Sequence, residues 1–489
     1  MSRRALVIGA GVGGLAVSGL LAREGWDVTV VEKNRESGGR LGRLSRKGFR
    51  FDTGATLFLM REVFEDLYAR LGTRLVDHLD LHRIDPHCRL QWADGTSLHL
   101  TADLLRLREG CEALEPGSGG AVLSFLARGW FLYRESMRHL IGRDFSTAGP
   151  FLDPRLWLQF IRPDTWRNRW RQVSAKFRTE KLRTAFACQD LYIGMSPYRA
   201  PAIYSIMPAM ELLGGLWVPR GGMYRIAESL ESIARSHGAR FLMGTGVREI
   251  LREGKRACGV ALENGRRLEA DLVVANADLP YVHQELLAGL KPPRRLARMK
   301  TSCSSHTFYW GFRRPLRSIT DQHGVFFGAD WKAGVECLTP GKPFPNEPHF
   351  YLNAPTRHDP AAAPRGQDAL MVVVPCPPLP AEVGRREIRR YVLERLSALE
   401  GRRIEKDLVF EAGFTPKAWR DKYHLKDGAM LGSLDHRLSQ MGPLRPSNRH
   451  GRLGNLYFVG GSTRPASGVP MVVLSAMLTA QRIAREQAA

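Results

Sequence analysis

Acidic residues are scarce in this chain. Its 489 residues hold 49 Asp and Glu against 72 Lys and Arg, giving a formal charge of +23 and a pI near 10.2. Such a field draws anionic partners: anionic lipid, nucleic acid or a phosphate-bearing cofactor. No nucleic-acid-binding motif accompanies the charge, which argues against nucleic acid. Cysteine is sparse as well. Cys88, Cys111, Cys188, Cys258, Cys303, Cys337 and Cys376 are scattered, odd in number and form no C-x-x-C pair. That usage excludes a disulfide framework and a zinc site, and it suits a reduced, cytoplasmic compartment. Long apolar runs are missing too. Ala5 to Ala22 carries no charge but is interrupted by Gly9, Gly11, Gly13, Gly14 and Gly19, so no integral membrane span is expected. No G-x-S-x-G elbow, internal repeat or low-complexity tract is present. What remains is an ordinary globular composition, 44% apolar and 9% aromatic, long enough for two or three domains.

The densest signal is at the N-terminus. Ala5 to Ile8 is a short apolar run suited to a buried parallel strand. It leads into Gly9-Ala-Gly11-Val-Gly-Gly14, a G-x-G-x-x-G turn, then a helix over Leu15 to Arg23 stopped near Gly25. A second strand, Asp27 to Val31, ends at Glu32. Gly9 permits the tight turn, Gly11 lets the backbone approach a pyrophosphate, and Gly14 allows the helix to pack on the strand. The helix N-terminus offers N–H groups and partial positive charge to phosphates. Glu32, followed by Lys33, is placed to accept from a ribose hydroxyl, and its charge disfavours a 2′-phosphate.

Gly38-Gly39-Arg40 and Phe51-Asp52-Thr53-Gly54 follow and tilt the cofactor from NAD to FAD. The glycines allow close backbone approach, and the planar fork of Arg40 suits anionic oxygens. Near the other end, Asn455 to Val459 reads as a buried strand. It opens through Gly460 and Gly461 onto a helix over roughly Met471 to Ala484, with Val469 and Pro470 at its threshold. In a flavoprotein this helix N-terminus would favour negative charge on the reduced ring.

With these residues in place the chain resembles the bacterial phytoene desaturase family of carotenoid-modifying flavoenzymes. The matching stretches are VIGAGVGGL (7–15), VVEKNRESGGRLG (30–42), FDTGATL (51–57), PYRAPAIYSIMP (197–208), WVPRGGM (217–223), ADLVVANAD (270–278), FTPKAWRDKY (414–423), RPSNR (445–449) and GGSTRPASGVPMVV (460–473). Arg464 stands where similar proteins carry His, and Ala466 where they carry Gly. These departures bear on the reaction rather than on the fold.

The resemblance implies an α/β protein: a discontinuous, Rossmann-type FAD-binding domain at 1–75, 220–290 and 440–489. An inserted α+β substrate domain would occupy 76–219 and 291–439. Within the first, Tyr224 to Ala234 reads as a helix, Gly238 to Val247 and Ala270 to Val274 as strands, and Val247 is implied to lie against the adenine. Within the second, Ala369 to Val374 reads as a strand, and Ile388, Val392, Leu396 and Leu399 mark a helix face. The implied reaction removes a hydride and a proton from a hydrocarbon. Binding must then come from apolar burial, at roughly 0.8 kcal/mol per CH₂. Pro197 to Trp217, with Phe308, Tyr309 and Trp310, are candidates to line a tunnel. No nucleophile–base pair stands out; Asp190, Arg199 and Arg464 are the catalytic candidates. A carotenoid ketolase, oxygenase or isomerase is the alternative reaction, and a flavin-free prenyl-lipid carrier related to Rab GDP-dissociation inhibitors is the alternative of another class. Oxygen or a quinone would reoxidise the flavin. An apolar polyene must be collected from a bilayer, so peripheral docking on an anionic membrane is expected. The expected surface is Phe151 to Arg183, where Trp157, Phe160, Trp166, Trp170 and Phe177 interleave with Arg155, Arg162, Arg167, Arg169, Arg171, Lys176, Arg178, Lys181 and Arg183 against Asp153, Asp164 and Glu180.

Overall fold

The computed structural model describes residues 3–147, 149–161 and 166–488. Five parallel strands form the central sheet, in the order Leu456–Phe458, Leu272–Ala275, Arg4–Ile8, Asp27–Glu32 and Arg240–Met243. The apolar run at the N-terminus takes the middle place because it can be buried on both faces; Ala5 to Ile8 are all buried. On one face the helix Val12–Arg23 packs between Arg225–Ser236 and the C-terminal helix Val469–Ala488. On the other face lies an antiparallel meander, Val247–Glu253, Arg256–Leu262 and Arg267–Glu269. Its Ile250 and Val260 meet Leu6, Ile8 and Val273 of the sheet. The strand expected over Gly238 to Val247 is shorter. Gly244 to Gly246 form a turn, and Val247 opens the meander.

A second, seven-stranded sheet runs in the order Leu408–Phe414, Ser304–Phe312, Asp368–Cys376, Phe350–Asn353, His323–Phe326, Cys88–Gln91 and Ser97–Leu100. Its one parallel pairing sets His323–Phe326 beside Cys88–Gln91, with Gly324 opposite Arg89. The helix Arg385–Glu400 covers this sheet through Ile388, Val392, Leu393 and Leu396. Leu399, expected on the same face, is exposed: the core beneath the last turn ends first. Ser304–Phe312 is buried along its whole length. Phe308 and Trp310 therefore point into the core beneath Arg385–Glu400, and Tyr309 packs with Phe49 and Phe51 while its hydroxyl donates to the Thr53 carbonyl at 2.8 Å. None of the three lines a tunnel; strand alternation fixes two faces but not what fills the space beyond them. All seven cysteines are free. No described helix is long and apolar enough to cross a membrane.

Candidate functional site

One continuous cavity of ≈ 580 Å³ runs between the two sheets. Its first half is built from the glycine turns. Gly9 holds a positive φ of 95°. A side chain at Gly14 would come within 2.0 Å of the Gly9 carbonyl, so only glycine lets the helix start against the strand. No side chain caps that helix, and Val12 and Gly13 of its first turn line the cavity. The Gly38–Gly39 turn lies alongside: Gly38 N–H donates to the Ala10 carbonyl at 2.8 Å. A Cβ on Gly39 would sit 3.2 Å from Gly11 Cα.

Glu32 is buried at the end of its strand. One oxygen accepts from Ala10 N–H at 2.7 Å; the other accepts from the Asn34 backbone and side chain at 2.8 and 2.7 Å. It therefore fixes the glycine turn besides facing the cavity. Lys33 also lines the cavity, with Nζ 2.9 Å from His424 Nε2. His424 stacks on Tyr281 at 4.2 Å between ring centroids, beside Val247. Arg40 Nη1 donates to the Met430 carbonyl at 2.9 Å. Burial draws the pKa of Arg40 down, and the Asp278 carboxylate partly restores it. A Cβ on Gly461 would lie 3.1 Å from Arg40 Nη2, so the two ends of the chain meet at this guanidinium.

Of the expected cofactor residues, Gly9, Gly11, Glu32, Lys33, Gly39, Arg40, Gly54, Val247, Gly460, Gly461, Val469 and Pro470 all line the cavity; Gly14 and Thr53 stand just behind its wall. Three further residues organise this half and were not singled out in the sequence. Asn276 accepts from Gly14 N–H at 2.8 Å and donates to the Val459 carbonyl at 3.0 Å, tying the N-terminal turn to the C-terminal one. Arg445, fully buried, donates to the carbonyls of Thr463, Asp435, Gln440, Leu434 and Gly461. Ser467 Oγ lies 2.8 Å from His436 Nε2 at the mouth of the C-terminal helix. Asn276, Arg445 and Ser467 fall inside the family-like stretches 270–278, 445–449 and 460–473.

The other half is apolar. Ile193, Ile203, Ile206, Met207, Met210, Val325, Met371 and Val373 line it. Ile203 to Met210 lie in the stretch expected to do so. The catalytic candidates separate. Arg464 reaches the cavity, but its guanidinium is engaged by the carbonyls of Arg445, Phe145 and Pro443 at 3.1, 3.1 and 2.7 Å. Asp190 is buried away from the cavity, 3.6 Å from the guanidinium of Arg169. Burial raises its pKa to about 7, against the pull of Arg169. Arg199 is exposed and does not line the cavity.

An elongated cradle with an uncapped helix start, two glycine turns in contact and a carboxylate at the second strand end fits a dinucleotide. The family profile of flavin containing amine oxidoreductases matches residues 12–484. The chain belongs to this family. It is an FAD-dependent oxidoreductase of the phytoene desaturase group. It is 40% identical over 487 residues to the zeta-carotene-forming phytoene desaturase of Myxococcus xanthus, covering 98% of this chain and 94% of the relative. It is 33% identical to the 4,4'-diapophytoene desaturase (4,4'-diaponeurosporene-forming) of Staphylococcus haemolyticus, covering 97% of each. Putrescine oxidase bound to putrescine shares the fold at a TM-score of 0.63 and 15% identity, with 99% of each chain covered. A Rab GDI from Plasmodium falciparum shares it at 0.59 and 11%, covering 99% of this chain and 98% of that one.

Proposed function

We propose that the protein desaturates a long linear polyene precursor of the phytoene type. The observation that carries this reading is the continuity of the nucleotide cradle with the apolar half of the cavity. The apolar walls supply burial, and the Arg464 guanidinium is taken up by backbone carbonyls. Bound FAD supplies the oxidising power, accepting a hydride from carbon. Gly11, Gly39 and the first turn of Val12–Arg23 would hold its pyrophosphate, and Glu32 its ribose. Gly461 and the Val469–Pro470 helix start would lie by the ring. The isoleucine and methionine wall orients the chain and excludes water.

The test is pigment analysis by HPLC in a phytoene-accumulating bacterial host. Expression is expected to convert phytoene to products with longer conjugation. Oxygenated products that require NADH would instead support a ketolase, and unchanged phytoene would overturn the reading.

The substrate reaches such a cavity from a bilayer, and the reading extends to peripheral docking through the segment around Pro154–Ile161. Leu152, Trp157, Leu158, Ile161 and Trp166 are exposed there, Leu152 to 80% and Ile161 to 72%. The segment follows Leu140, Ile141, Arg143 and Phe145, which line the cavity. The expected basic face is smaller than the sequence implies. Arg169 is fully buried with Asp190, Phe177 is core, and Trp170 is part-buried near Tyr198 and Trp331. Arg155, Arg167 and Arg171 are exposed. Arg162, Asp164 and the side chain of Phe160 lie outside the described residues. Oxygen or a quinone is the electron acceptor in this reading.

A further inference from the structure

Desaturation removes a second hydrogen as a proton, and an apolar cavity gives it no water to enter. This inference rests on the desaturase reading. Among the described hydroxyls of the cavity wall, that of Tyr351 is built into a buried polar chain. Tyr351 Oη lies 2.6 Å from Thr56 Oγ1 and 2.6 Å from His323 Nδ1. Thr56 follows Gly54 and Ala55 on the nucleotide side of the wall, whereas Tyr351 stands with Val325 and Met371 on the apolar side. The pair therefore sits where the two halves meet. Behind it, His323 is almost completely buried, and its Nε2 has no hydrogen-bond partner among the described residues. His87, adjoining the neighbouring strand, is fully buried with both ring nitrogens likewise unpartnered. Its Nε2 lies 4.0 Å from Asp85 Oδ1, and the Asp85 side chain is 39% exposed. Buried polar atoms without partners are rare and call for an explanation.

We infer that Tyr351, backed by His323, takes up the substrate's proton at the cavity wall. Hydride loss to the flavin leaves one carbon electron-deficient. The adjacent C–H bond then breaks, its electron pair becomes the new C=C bond, and its proton passes to Tyr351 Oη. The hydroxyl's own proton moves to His323 Nδ1. No electrons leave by this route. Burial, with His358 and His87 nearby, pulls the His323 pKa down to about 3, so the imidazole is neutral at rest. Burial likewise lowers that of His87, to about 4.

The test uses flavin-loaded protein with phytoene in liposomes. Tyr351→Phe and His323→Gln are each expected to retain flavin and KM but to lose roughly 10²-fold in single-turnover rate, the range of a lost acid–base group. His323→Gln, which keeps a partner for Tyr351 but cannot carry charge, serves if Tyr351→Phe folds poorly. An independent reading comes from ¹⁵N-histidine NMR: one neutral imidazole should shift at Nδ1 when Tyr351 becomes Phe. Tyr133, another cavity hydroxyl, leads outward through Glu62. Wild-type turnover with unimpaired Tyr351→Phe and His323→Gln, or a loss confined to Tyr133→Phe, would overturn the relay while leaving the desaturase reading intact. Wild-type protein that leaves phytoene unchanged overturns both.

Discussion

Replacing Glu32 with Ala strips acceptors from Ala10 N–H, Asn34 N–H and the Asn34 side chain at once. The buried Ala10 N–H, left unpaired, costs about 1–3 kcal/mol. The variant is expected to lose flavin on gel filtration and to melt earlier, measured by the 450 nm absorbance of the purified protein and by calorimetry. Full flavin retention would remove Glu32 from the cofactor site. Glu211 poses a different problem at the same scale. Its carboxyl is fully buried, neither oxygen has a hydrogen-bond partner among the described residues, and burial raises its pKa from 4.5 to about 8. The folded state thus keeps a proton that the unfolded chain releases, and stability falls as pH rises through that window. Glu211→Gln should flatten the loss, gaining about 5 kcal/mol at most above pH 8. Denaturant melts at pH 5 and pH 9 check this; parallel pH profiles for the two proteins would refute it.

At the scale of elements, Leu152, Trp157, Leu158, Ile161 and Trp166 are exposed around Pro154–Ile161. Tryptophan favours the headgroup level, and basic residues near anionic lipid contribute about 1 kcal/mol each. Reversing Arg167 and Arg171 to Glu should lower sedimentation with anionic liposomes roughly tenfold or more and leave flavin bound. Arg169 belongs in no such variant, because a carboxylate there would be buried against Asp190. Salt should weaken the wild type in the same assay through screening. Unchanged sedimentation of the double variant would move the docking face elsewhere.

Across the whole molecule, what was legible in the sequence was what is local. The strand, glycine turn, helix and Glu32 lie within 30 residues and fold against one another, so their spacing carried their role. Asn276, Arg445 and the Thr56–Tyr351–His323 set were not legible. Thr56 and Tyr351 are 295 positions apart, and only the folded sheets bring them together. Arg169 misled for a related reason: in a run of arginines nothing local marks the one that faces Asp190. Phe308, Tyr309 and Trp310 looked like tunnel wall but fill two cores on opposite faces of one strand. The central claim is that the bound flavin takes hydrogen from an apolar chain in the shared cavity. Anaerobic mixing of the yellow protein with phytoene liposomes tests it most directly. The expected result is bleaching of one flavin for each new conjugated double bond, with no oxygen consumed. Flavin that stays oxidised, or a changed chromophore without net flavin reduction, would contradict it.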